Sequence, residues 1–496
     1  APFVLGSISS FSLPPYNLIF LNFVTFPLLY LFFIKNYSSS KFLAFSIGWS
    51  FGFGYFIFSL HWIINSLSFD ESYKNLMPLA LILIPLFLGI FYGICTLTYS
   101  YFNTRLNISS ILLFAITFSI IEFFRGVILG GFPWNLIAYS WTNYISFLQI
   151  LSYVGIYSFN LLSITIFLTP LFLFINKNKI YKLFLTAGII FLIIINYFFG
   201  TYTIKNFNKK TQKKLETKIK IISPKIEIER YFKHDSVKLI AKELIKLSDP
   251  KKNEKTIFIY PEGTFTGIYL TDLNYLSAMF KNNFTNNHKL VLGITSEEDK
   301  KIFNSMVVLN NNLELLSKYN KNKLVPFGEF LPFEDLFKKV GIKKITYGYN
   351  SFTPDSKRES INLGDIKFLP LICYEIIYSG QLNKQKVNFD FILNISEDGW
   401  FGKKIGPTQH FSHSIFRAIE EGKNIVRSSN NGISAYINPK GKVIKMIEST
   451  QKGVIVINGL RYGETTKFSK YGNKIFFYFL IFYITLIFFL KKKKGT

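Results

Sequence analysis

Three residues whose side chains could together perform nucleophilic catalysis occupy similar positions in the polar half of the chain. Cys373 ends the apolar run FLPLIC, Glu262 follows TIFIYP, and Lys321 lies in the stretch YNKNKLVPFGEFLP. A thiol is a strong nucleophile only as its thiolate, so it needs a base, and a carboxylate can take the proton. A nearby ammonium group would stabilise the negative charge that develops during attack. These residue types therefore predict a cysteine nucleophile with a glutamate base.

Each of these residues also has an ordinary structural explanation, which the residues alone leave open. Cys373 and Cys95 are the two cysteines of the chain, and an unpaired cysteine is either a small buried apolar residue or a working thiol. Glu262 also fits a turn or the start of a helix, and Lys321, among neighbouring lysines, fits a solvated surface. Cys95 lies in an apolar segment, which makes it a poor candidate for a nucleophile.

Motifs of other catalytic classes give no credible alternative. There is no H-E-x-x-H helix, no C-x-x-C pair and no H-x-x-x-x-D box, and the G-x-S-x-G match GWSFG at 48–52 lies inside a long apolar segment and not at a strand-to-helix elbow. None of the five histidines stands near a credible catalytic triad. We expect His410 and His413 to be structural or to shape a pocket, and His61 to pack inside an apolar region. The sequence predicts no metal ion and no other cofactor.

Apolar and charged residues occupy different parts of the chain. Hydrophobic residues make up 49% of the 496 positions, which is too high for an ordinary soluble protein, yet charged residues reach 18%. Residues 1–199 hold eight Lys or Arg, whereas residues 200–474 hold 45. The net charge of +27 is spread along the polar half without a nucleic-acid-reading motif. It predicts a solvated basic surface or attraction to anionic lipid, and no nucleic-acid partner.

Long apolar segments predict a membrane domain, because a helix needs about 20 apolar residues to cross a bilayer. The first, at 1–13, is shorter than this. The others that meet or approach this length lie at 16–34, 43–67, 77–102, 108–129, 150–175, 180–199 and 474–490. We therefore expect a membrane domain of about seven helices at 1–200, a polar domain at 201–470, and a final membrane helix with a basic tail at 471–496.

The basic residues of the short loops predict the orientation, because Lys and Arg are retained on the cytoplasmic side. With eight spans and an inner N-terminus, the inner loops carry Lys35 and Lys41, then Arg105, then Lys177, Lys179 and Lys182, and the tail Lys491–Lys494 is also inside. This places residues 200–473 outside the cytoplasm. The basic run KNFNKKTQKK at 205–214 opposes the assignment, although long translocated domains largely escape the rule.

The polar half alternates short β-branched runs with helical stretches, which predicts a layered α/β sandwich. Helices are predicted at 235–247, 270–281 and 408–422. Strands are predicted for KIKIIS, TIFIY, KLVLGI, SMVVLN, KFLPLIC, FDFILNIS, NIVRSS, GISAYI and GVIVIN. Glu262 and Cys373 then follow strand ends, and Lys321 follows SMVVLN and its connecting turn. Such positions are where active residues of α/β folds gather.

At this point four separated motifs resemble a known family. PEGTF, NKNKLVPFGEFLP, LICYE and NISEDGWFG are similar to the Glu–Lys–Cys carbon–nitrogen hydrolase (nitrilase) superfamily. Together with the apolar segments, FRGVILGGFPW at 124–134 and the stretch 406–432, the chain resembles the bacterial apolipoprotein N-acyltransferases. The likeness covers nearly the whole chain. It implies a multi-span α-helical membrane domain joined to a nitrilase-like α-β-β-α sandwich.

The resemblance also implies a function and a set of residue roles. Such enzymes transfer a fatty acyl chain from a membrane phospholipid to the N-terminal amine of a diacylglyceryl-cysteine apolipoprotein, through a cysteine thioester. The implied setting is the bacterial inner membrane, with the catalytic domain on the periplasmic side. Glu262 is similar to the general base, Lys321 to the oxyanion-stabilising residue and Cys373 to the nucleophile. Supporting or pocket residues would be Glu329, Tyr374, Glu375 and Trp400.

The sequence departs from the family pattern at two places. NISEDGW has Glu397 where the family usually has Asn, and SPKIEIERYF after the first strand lacks the common Q-x-N. Residues that line an acyl entrance in the second region therefore cannot be transferred. Two rival functions remain: a membrane-anchored amidase of the same superfamily, and a non-catalytic lipoprotein-binding scaffold.

The apolar half contains one conspicuous pair of charged residues. Glu122 and Arg125 are three residues apart and so share one face of a helix. A buried ion pair at membrane depth is costly unless protein or water surrounds it, which makes it a functional hint. The alternative is a structural pair at the membrane interface.

Overall fold

The computed structural model describes residues 1–36, 40–102, 106–229, 237–332 and 351–492. The chain divides into two compact units. The helical unit comprises Ala1–Ile64, Leu76–Asn208 and the residues from Thr466 onward, and the α/β unit comprises Asn65–Asn75 and Lys209–Thr465. The short segment Asn65–Asn75 thus belongs to the α/β unit, although the apolar segments that flank it belong to the helical one.

The described residues form α-helices and short 3-10 helices. In chain order the α-helices are α1 Pro2–Ser10, α2 Asn22–Asn36, α3 Lys41–Leu60, α4 Glu71–Lys74, α5 Met77–Tyr99, α6 Ile108–Arg125, α7 Ile145–Leu148, α8 Leu151–Phe167, α9 Lys179–Lys209, α10 Val237–Ser248, α11 Ser277–Asn283, α12 Ile405–Glu421, α13 Lys467–Tyr471 and α14 Lys474–Lys492. Short 3-10 helices span Ile19–Leu21, His61–Leu67, Ile128–Gly130, Ile137–Trp141, Thr169–Phe174, Leu270–Leu276, Cys373–Ile377 and Gly399–Phe401.

Seven helical segments in the described part of the chain are long and apolar enough to cross a membrane. They fit a multi-pass membrane protein and lie within or over the predicted segments, as Ile19–Asn36, Lys41–Leu67, Met77–Tyr99, Ile108–Arg125, Leu151–Phe174, Lys179–Lys209 and Lys474–Lys491. The predicted segment 1–13 forms α1, which has nine residues and is too short to cross a bilayer alone. Helix α9 continues ten residues beyond the predicted 180–199, into the basic run at 205–214. Arg105 and Lys493–Lys494 of the orientation argument lie outside the described residues.

The α/β unit contains two six-stranded sheets, as an α-β-β-α sandwich requires. Sheet I has the order β12-β1-β2-β3-β4-β5, and sheet II has the order β11-β10-β9-β8-β7-β6. The strands are β1 Lys213–Ser223, β2 Thr256–Ile259, β3 His288–Glu298, β4 Lys301–Leu309, β5 Leu315–Asn320, β6 Ile361–Asn362, β7 Lys367–Ile372, β8 Phe391–Glu397, β9 Asn424–Asn430, β10 Ser434–Ile437, β11 Val443–Ile447 and β12 Gly453–Leu460.

Apolar side chains hold the layers together. The core between the sheets contains Ile219, Ile257, Val291 and Met306 from sheet I and Phe368, Leu393, Ile395 and Val426 from sheet II. A second core joins the outer face of sheet I to α10 and α11. Helix α12 packs against β9 and β10 of sheet II. The predicted fold, a multi-span helical domain with an α-β-β-α sandwich, is confirmed.

The strand prediction missed β5, β6 and β11, and the first of these matters for the site. Lys321 does not follow the turn after β4, as predicted, but the end of β5 (Leu315–Asn320). Strand β5 is the edge of sheet I, and its first four residues are exposed or half-buried. An edge strand of this kind carries polar residues such as Ser317 and Lys318, so its sequence lacks a continuous β-branched run.

The predicted intramembrane ion pair is present inside the helical unit. Glu122 Oε1 accepts from Arg125 Nη2 at 2.9 Å and from the Tyr92 hydroxyl at 2.7 Å, while Glu122 Oε2 accepts from Asn160 Nδ2 at 2.9 Å. Arg125 Nη1 donates to the backbone carbonyl of Trp134 at 2.9 Å. The pair therefore ties α5, α6 and α8 to the loop after α6, which supports the structural alternative.

We predict that Gly155→Ala destabilises the helical unit. Gly155 in α8 has a φ of 70°, and a Cβ atom there would lie 1.9 Å from Cε2 of Phe468. We expect the substitution to cost about 1–3 kcal/mol from backbone strain and overpacking. The measurement is thermal unfolding of the detergent-solubilised protein.

Gly188→Ala in α9 is the matched control, because nothing lies within 4 Å of its added Cβ atom. Alanine has the higher helix propensity, so this variant should unfold at the wild-type temperature or slightly above it. Equal unfolding temperatures for the two variants would contradict the packing argument.

Candidate active site

Strand directions bring Glu262 and Lys321 to one edge of sheet I. Strand β2 is parallel to β3, whereas β3–β4 and β4–β5 are antiparallel, so β5 runs in the same direction as β2. Glu262 lies three residues after the end of β2, and Lys321 comes directly after β5. Cys373 comes directly after β7 of sheet II and belongs to the core between the sheets. The three predicted residues therefore meet where the two sheets face each other.

Lys321 is buried between two carboxylates, which excludes the solvated alternative. Its side chain is 1% exposed, and Nζ lies 2.8 Å from Glu329 Oε1 and 3.4 Å from Glu262 Oε1. Burial alone would lower the pKa of Lys321, but Glu262 and Glu329, followed by Cys373, raise this pKa well above its ordinary value. Lys321 is therefore a permanent ammonium group at neutral pH, and its charge is directed at the site.

Asn304 holds the two carboxylates in place and was missed by the sequence analysis. Its Nδ2 donates to Glu262 Oε1 at 2.7 Å and to Glu329 Oε1 at 2.6 Å. The backbone N–H of Glu397 donates to Glu262 Oε2 at 3.0 Å. Asn304 lies near the start of β4, beside Glu262 only because β4 is antiparallel to its neighbours. Nothing in the run KIFNSMVVL distinguishes this amide from a surface residue.

The backbone of Cys373 adopts a left-handed conformation, with a φ of 48°. Such a conformation costs a residue with a side chain about 1–3 kcal/mol and is concentrated at functional sites. The thiol is buried, and burial, then the Glu262 carboxylate, raises its pKa well above the ordinary value, whereas Lys321 lowers it. Burial therefore favours the neutral thiol of Cys373. The charges of Glu262 and Lys321 both change the pKa of this thiol, in opposite directions.

Glu375 connects the cysteine turn to the lysine loop. Its buried carboxylate accepts from the backbone N–H groups of Ile372 at 2.8 Å and Asn322 at 2.9 Å, and from the Tyr319 hydroxyl at 2.7 Å. It also pairs with the buried guanidinium of Arg358. The carboxylate thus fixes the residue before Cys373 and the residue after Lys321.

The remaining predicted residues surround this group. Glu329 Oε2 accepts from the Val325 backbone N–H at 2.8 Å, which closes the loop after Lys321. Tyr374 is buried, and its ring packs edge-on against Tyr378 with centroids 5.4 Å apart. Trp400 is half-buried and packs edge-on against Phe69, with centroids 5.5 Å apart. Phe69 belongs to the segment Asn65–Asn75, so this short insertion contributes to the surroundings of Trp400.

The two departures from the family pattern have different outcomes. Glu397 is buried, and its carboxylate accepts from Asn430 Nδ2 at 2.7 Å and from the Gly399 N–H at 3.0 Å, so it shapes the backbone after β8. In SPKIEIERYF, residues 230–232 lie outside the described part of the chain.

His410 is buried near Cys373, in keeping with the expected structural role. Its Nδ1 lies 2.8 Å from Asp398 Oδ1, and the backbone of Cys373 hydrogen-bonds to the ring. His413 is also buried on α12. Among the described residues, no group of three or more His, Cys, Asp or Glu residues could hold a metal ion.

We predict that Glu262→Gln makes Cys373 easier to ionise. The Glu262 carboxylate raises the pKa of the thiol, so removing its charge should lower that pKa and move thiolate formation to lower pH. The measurement is the pH dependence of iodoacetamide labelling at Cys373, located by mass spectrometry. Glu297→Gln, an exposed residue at the end of β3, is the control and should leave the profile unchanged. A midpoint that stays or rises in Glu262→Gln would contradict the electrostatic picture.

We predict that Glu375→Gln loosens the whole site. The amide cannot accept all the hydrogen bonds of the carboxylate, and the buried Arg358 would lose its counter-charge. Breaking a buried pair in this way costs about 3–5 kcal/mol, measured here by chemical unfolding of the solubilised protein. Glu359→Gln, at an exposed neighbouring carboxylate, should have no effect. Equal free energies of unfolding for the two variants would show that the Glu375 carboxylate does not stabilise the site.

Two family models match separate parts of the chain. The apolipoprotein N-acyltransferase N-terminal domain matches residues 5–166, and the carbon-nitrogen hydrolase model matches residues 250–458. Among solved structures, an amidase from Nesterenkonia sp. is 13% identical, with a TM-score of 0.35, over 51% of this chain and 92% of that one. A score at this level adds nothing to the fold assignment, which comes from the sheets and the family models.

Curated relatives match over nearly the full length. The apolipoprotein N-acyltransferase of Rhizobium rhizogenes is 29% identical over 505 residues, with 97% of this chain and 93% of the relative covered. That of Agrobacterium fabrum is 30% identical over 502 residues, with the same coverage of both chains. A shared length and identity of this order, with both domain models in the matching order, show that the chain is an enzyme of the apolipoprotein N-acyltransferase family.

Proposed function

We propose that the chain transfers a fatty acyl group from a membrane phospholipid to the N-terminal amine of a diacylglyceryl-cysteine apolipoprotein, through a thioester on Cys373. The observation that carries the proposal is the convergence of Glu262, Lys321 and Cys373, with the ammonium group held between two carboxylates. Family membership supports the reaction class, and this convergence supports the role proposed for each residue.

In the first half-reaction, Glu262 takes the proton of the Cys373 thiol as the sulfur attacks the ester carbonyl of the phospholipid. The negative oxygen of the tetrahedral intermediate is stabilised by Lys321, whose raised pKa keeps it charged. Collapse of the intermediate breaks the ester C–O bond, and Glu262 returns its proton to the leaving alkoxide. The products are a lysophospholipid and the acyl thioester of Cys373.

In the second half-reaction, the amine of the diacylglyceryl-cysteine attacks the thioester carbonyl. Glu262 removes the amine proton, Lys321 again stabilises the oxyanion, and the C–S bond breaks. The thiolate leaves and recovers the proton from Glu262, so the enzyme returns to its starting state with an amide as product. This is a ping-pong route in which the first product leaves before the acceptor reacts.

Both proposed substrates are anchored in the bilayer by acyl chains, which accounts for the apolar helices in a hydrolase-like enzyme. Lateral diffusion in the bilayer delivers the donor and the acceptor to one active site. We place the protein in the bacterial inner membrane with the α/β unit on the periplasmic side, since Lys35, Lys41 and the lysines at 177–182 then lie inside. In this orientation Arg125 lies at the outer end of α6, and it does not oppose the assignment because its charge is paired with that of Glu122.

The amidase alternative differs only in what resolves the thioester, namely water instead of a lipidated amine. The scaffold alternative requires no thioester at all. Incubating the purified protein with acyl-labelled phospholipid and a diacylglyceryl peptide separates the three functions. Lysophospholipid with acylated peptide supports transfer, free fatty acid alone supports hydrolysis, and no turnover supports a scaffold.

We predict that Cys373→Ala abolishes acyl transfer, whereas Cys95→Ala retains it. Cys95 is fully buried in α5 of the helical unit and has no role in the proposed route. When the acceptor peptide is omitted, wild-type protein should accumulate the labelled acyl group on Cys373, detected by mass spectrometry and released by hydroxylamine. A label on Cys95 or on a serine would overturn the assignment of the nucleophile.

A further inference from the structure

Ser396 lies beside the nucleophile at the end of sheet II. Strands β7 and β8 are parallel, with Ile372 aligned to Ile395, so the next residues along these strands, Cys373 and Ser396, are neighbours. Ser396 is 0% exposed. The Ser396 hydroxyl lowers the pKa of the Cys373 thiol. A neutral group that is able to donate therefore lies beside the atom that must become negative.

In the resting structure the single hydroxyl proton of Ser396 points elsewhere. Ser396 Oγ donates to Asp398 Oδ1 at 2.6 Å. Asp398 does not depend on this bond, because His410 Nδ1 lies 2.8 Å from the same oxygen and Arg427 Nη2 donates to Oδ2 at 2.7 Å. The Asp398 carboxylate therefore keeps two other polar partners if the Ser396 hydroxyl turns away.

The other charged groups that face the thiol are already engaged. Of these, Glu262 and Asp398 are negative and oppose ionisation of Cys373, and Lys321 is positive but shared between Glu262 and Glu329. A buried anion needs hydrogen-bond donors as well as a counter-charge. Ser396 supplies such a donor without adding a charge that would pair with Glu262.

We propose that Ser396 is a further catalytic residue, whose hydroxyl turns from Asp398 to the Cys373 sulfur when the thiol gives up its proton and thereby stabilises the thiolate. The thiol proton goes to Glu262, the Ser396 proton stays on its own oxygen, and only its hydrogen bond changes partner. The same hydroxyl stabilises the thiolate that leaves when the thioester is resolved. The inference rests on the proposed function in taking Cys373 as the nucleophile.

The test compares side chains of one shape with and without the hydroxyl. Ser396→Thr keeps the hydroxyl, Ser396→Val replaces it by a methyl group of similar volume, and Ser396→Ala removes it with the least packing change. All are made in the Cys95→Ala background, so that Cys373 is the single thiol. The readout is the rate of iodoacetamide labelling across pH, which requires neither a phospholipid nor an acceptor.

We expect Ser396→Ala and Ser396→Val to label about tenfold or more slowly near neutral pH, with midpoints at higher pH, because a hydrogen bond to an ion is lost. Ser396→Thr should label close to the parent rate. Ser428→Ala is the matched control, because its buried hydroxyl donates to the Ile222 carbonyl at 2.9 Å and has no bond to Asp398. Its labelling profile should be that of the parent.

Two results would overturn the inference: parental profiles in both Ser396→Ala and Ser396→Val, or a Thr variant as slow as the Val variant. Thermal unfolding of each variant shows that the compared proteins are folded, and the Thr–Val pair carries the same packing change. A wild-type protein that transfers no acyl group, yet shows the hydroxyl-dependent labelling profile, would reject the proposed function and leave the role of Ser396 intact.

Discussion

The buried ammonium group of Lys321, held between the carboxylates of Glu262 and Glu329, is the interaction on which the rest of the site depends. One positive charge faces two negative ones, and Asn304 donates to both carboxylates, so none of the three charges is left without a partner. Removing Lys321 would leave two buried carboxylates without a counter-charge, which is far more costly than the net value of the pair. The arrangement fixes the proposed base and the proposed oxyanion partner in a single geometry.

With this charge arrangement, both the thiolate and the backbone conformation of Cys373 need stabilising contacts. Burial and Glu262 both disfavour the thiolate of Cys373, and the backbone at Cys373 is held in a strained left-handed conformation. Glu375 stabilises that turn by accepting from the N–H of Ile372, and it holds the lysine loop through Asn322. A strained nucleophile is thus anchored to the same carboxylate that positions its neighbouring cation, so the two loops cannot shift independently.

The helical unit also contains a buried ion pair whose carboxylate is held by neighbouring polar groups. Glu122 and Arg125 satisfy one another, and the remaining lone pairs of Glu122 are taken by Tyr92 and Asn160. An ion pair at membrane depth is costly unless protein or water surrounds it, and here protein groups surround the Glu122 carboxylate. Apolar surface covers the rest of the long helices, as expected for segments whose solvent is lipid.

Sequence alone determined the features that follow from residue type and from local pattern. The apolar segments, most strands and the identity of Glu262, Lys321 and Cys373 as candidates were all readable, because hydrophobic periodicity and strand-end positions are local properties. Strand β5 was not predicted, because an edge strand tolerates exposed polar residues and has no continuous apolar run. The segment 1–13 was predicted as a membrane segment, because its apolar composition does not reveal that its helix ends after nine residues.

The tertiary structure decided between the ordinary and the chemical explanation of each candidate. Whether Lys321 is solvated or buried depends on the antiparallel pairing of β3, β4 and β5, which no single stretch of sequence encodes. The parts played by Asn304 and Ser396 arise in the same way, from register between strands that are distant in the chain. Sequence names the side chains that are able to react; only the order and direction of the strands bring their polar atoms within hydrogen-bonding distance, because that distance is set by long-range pairing.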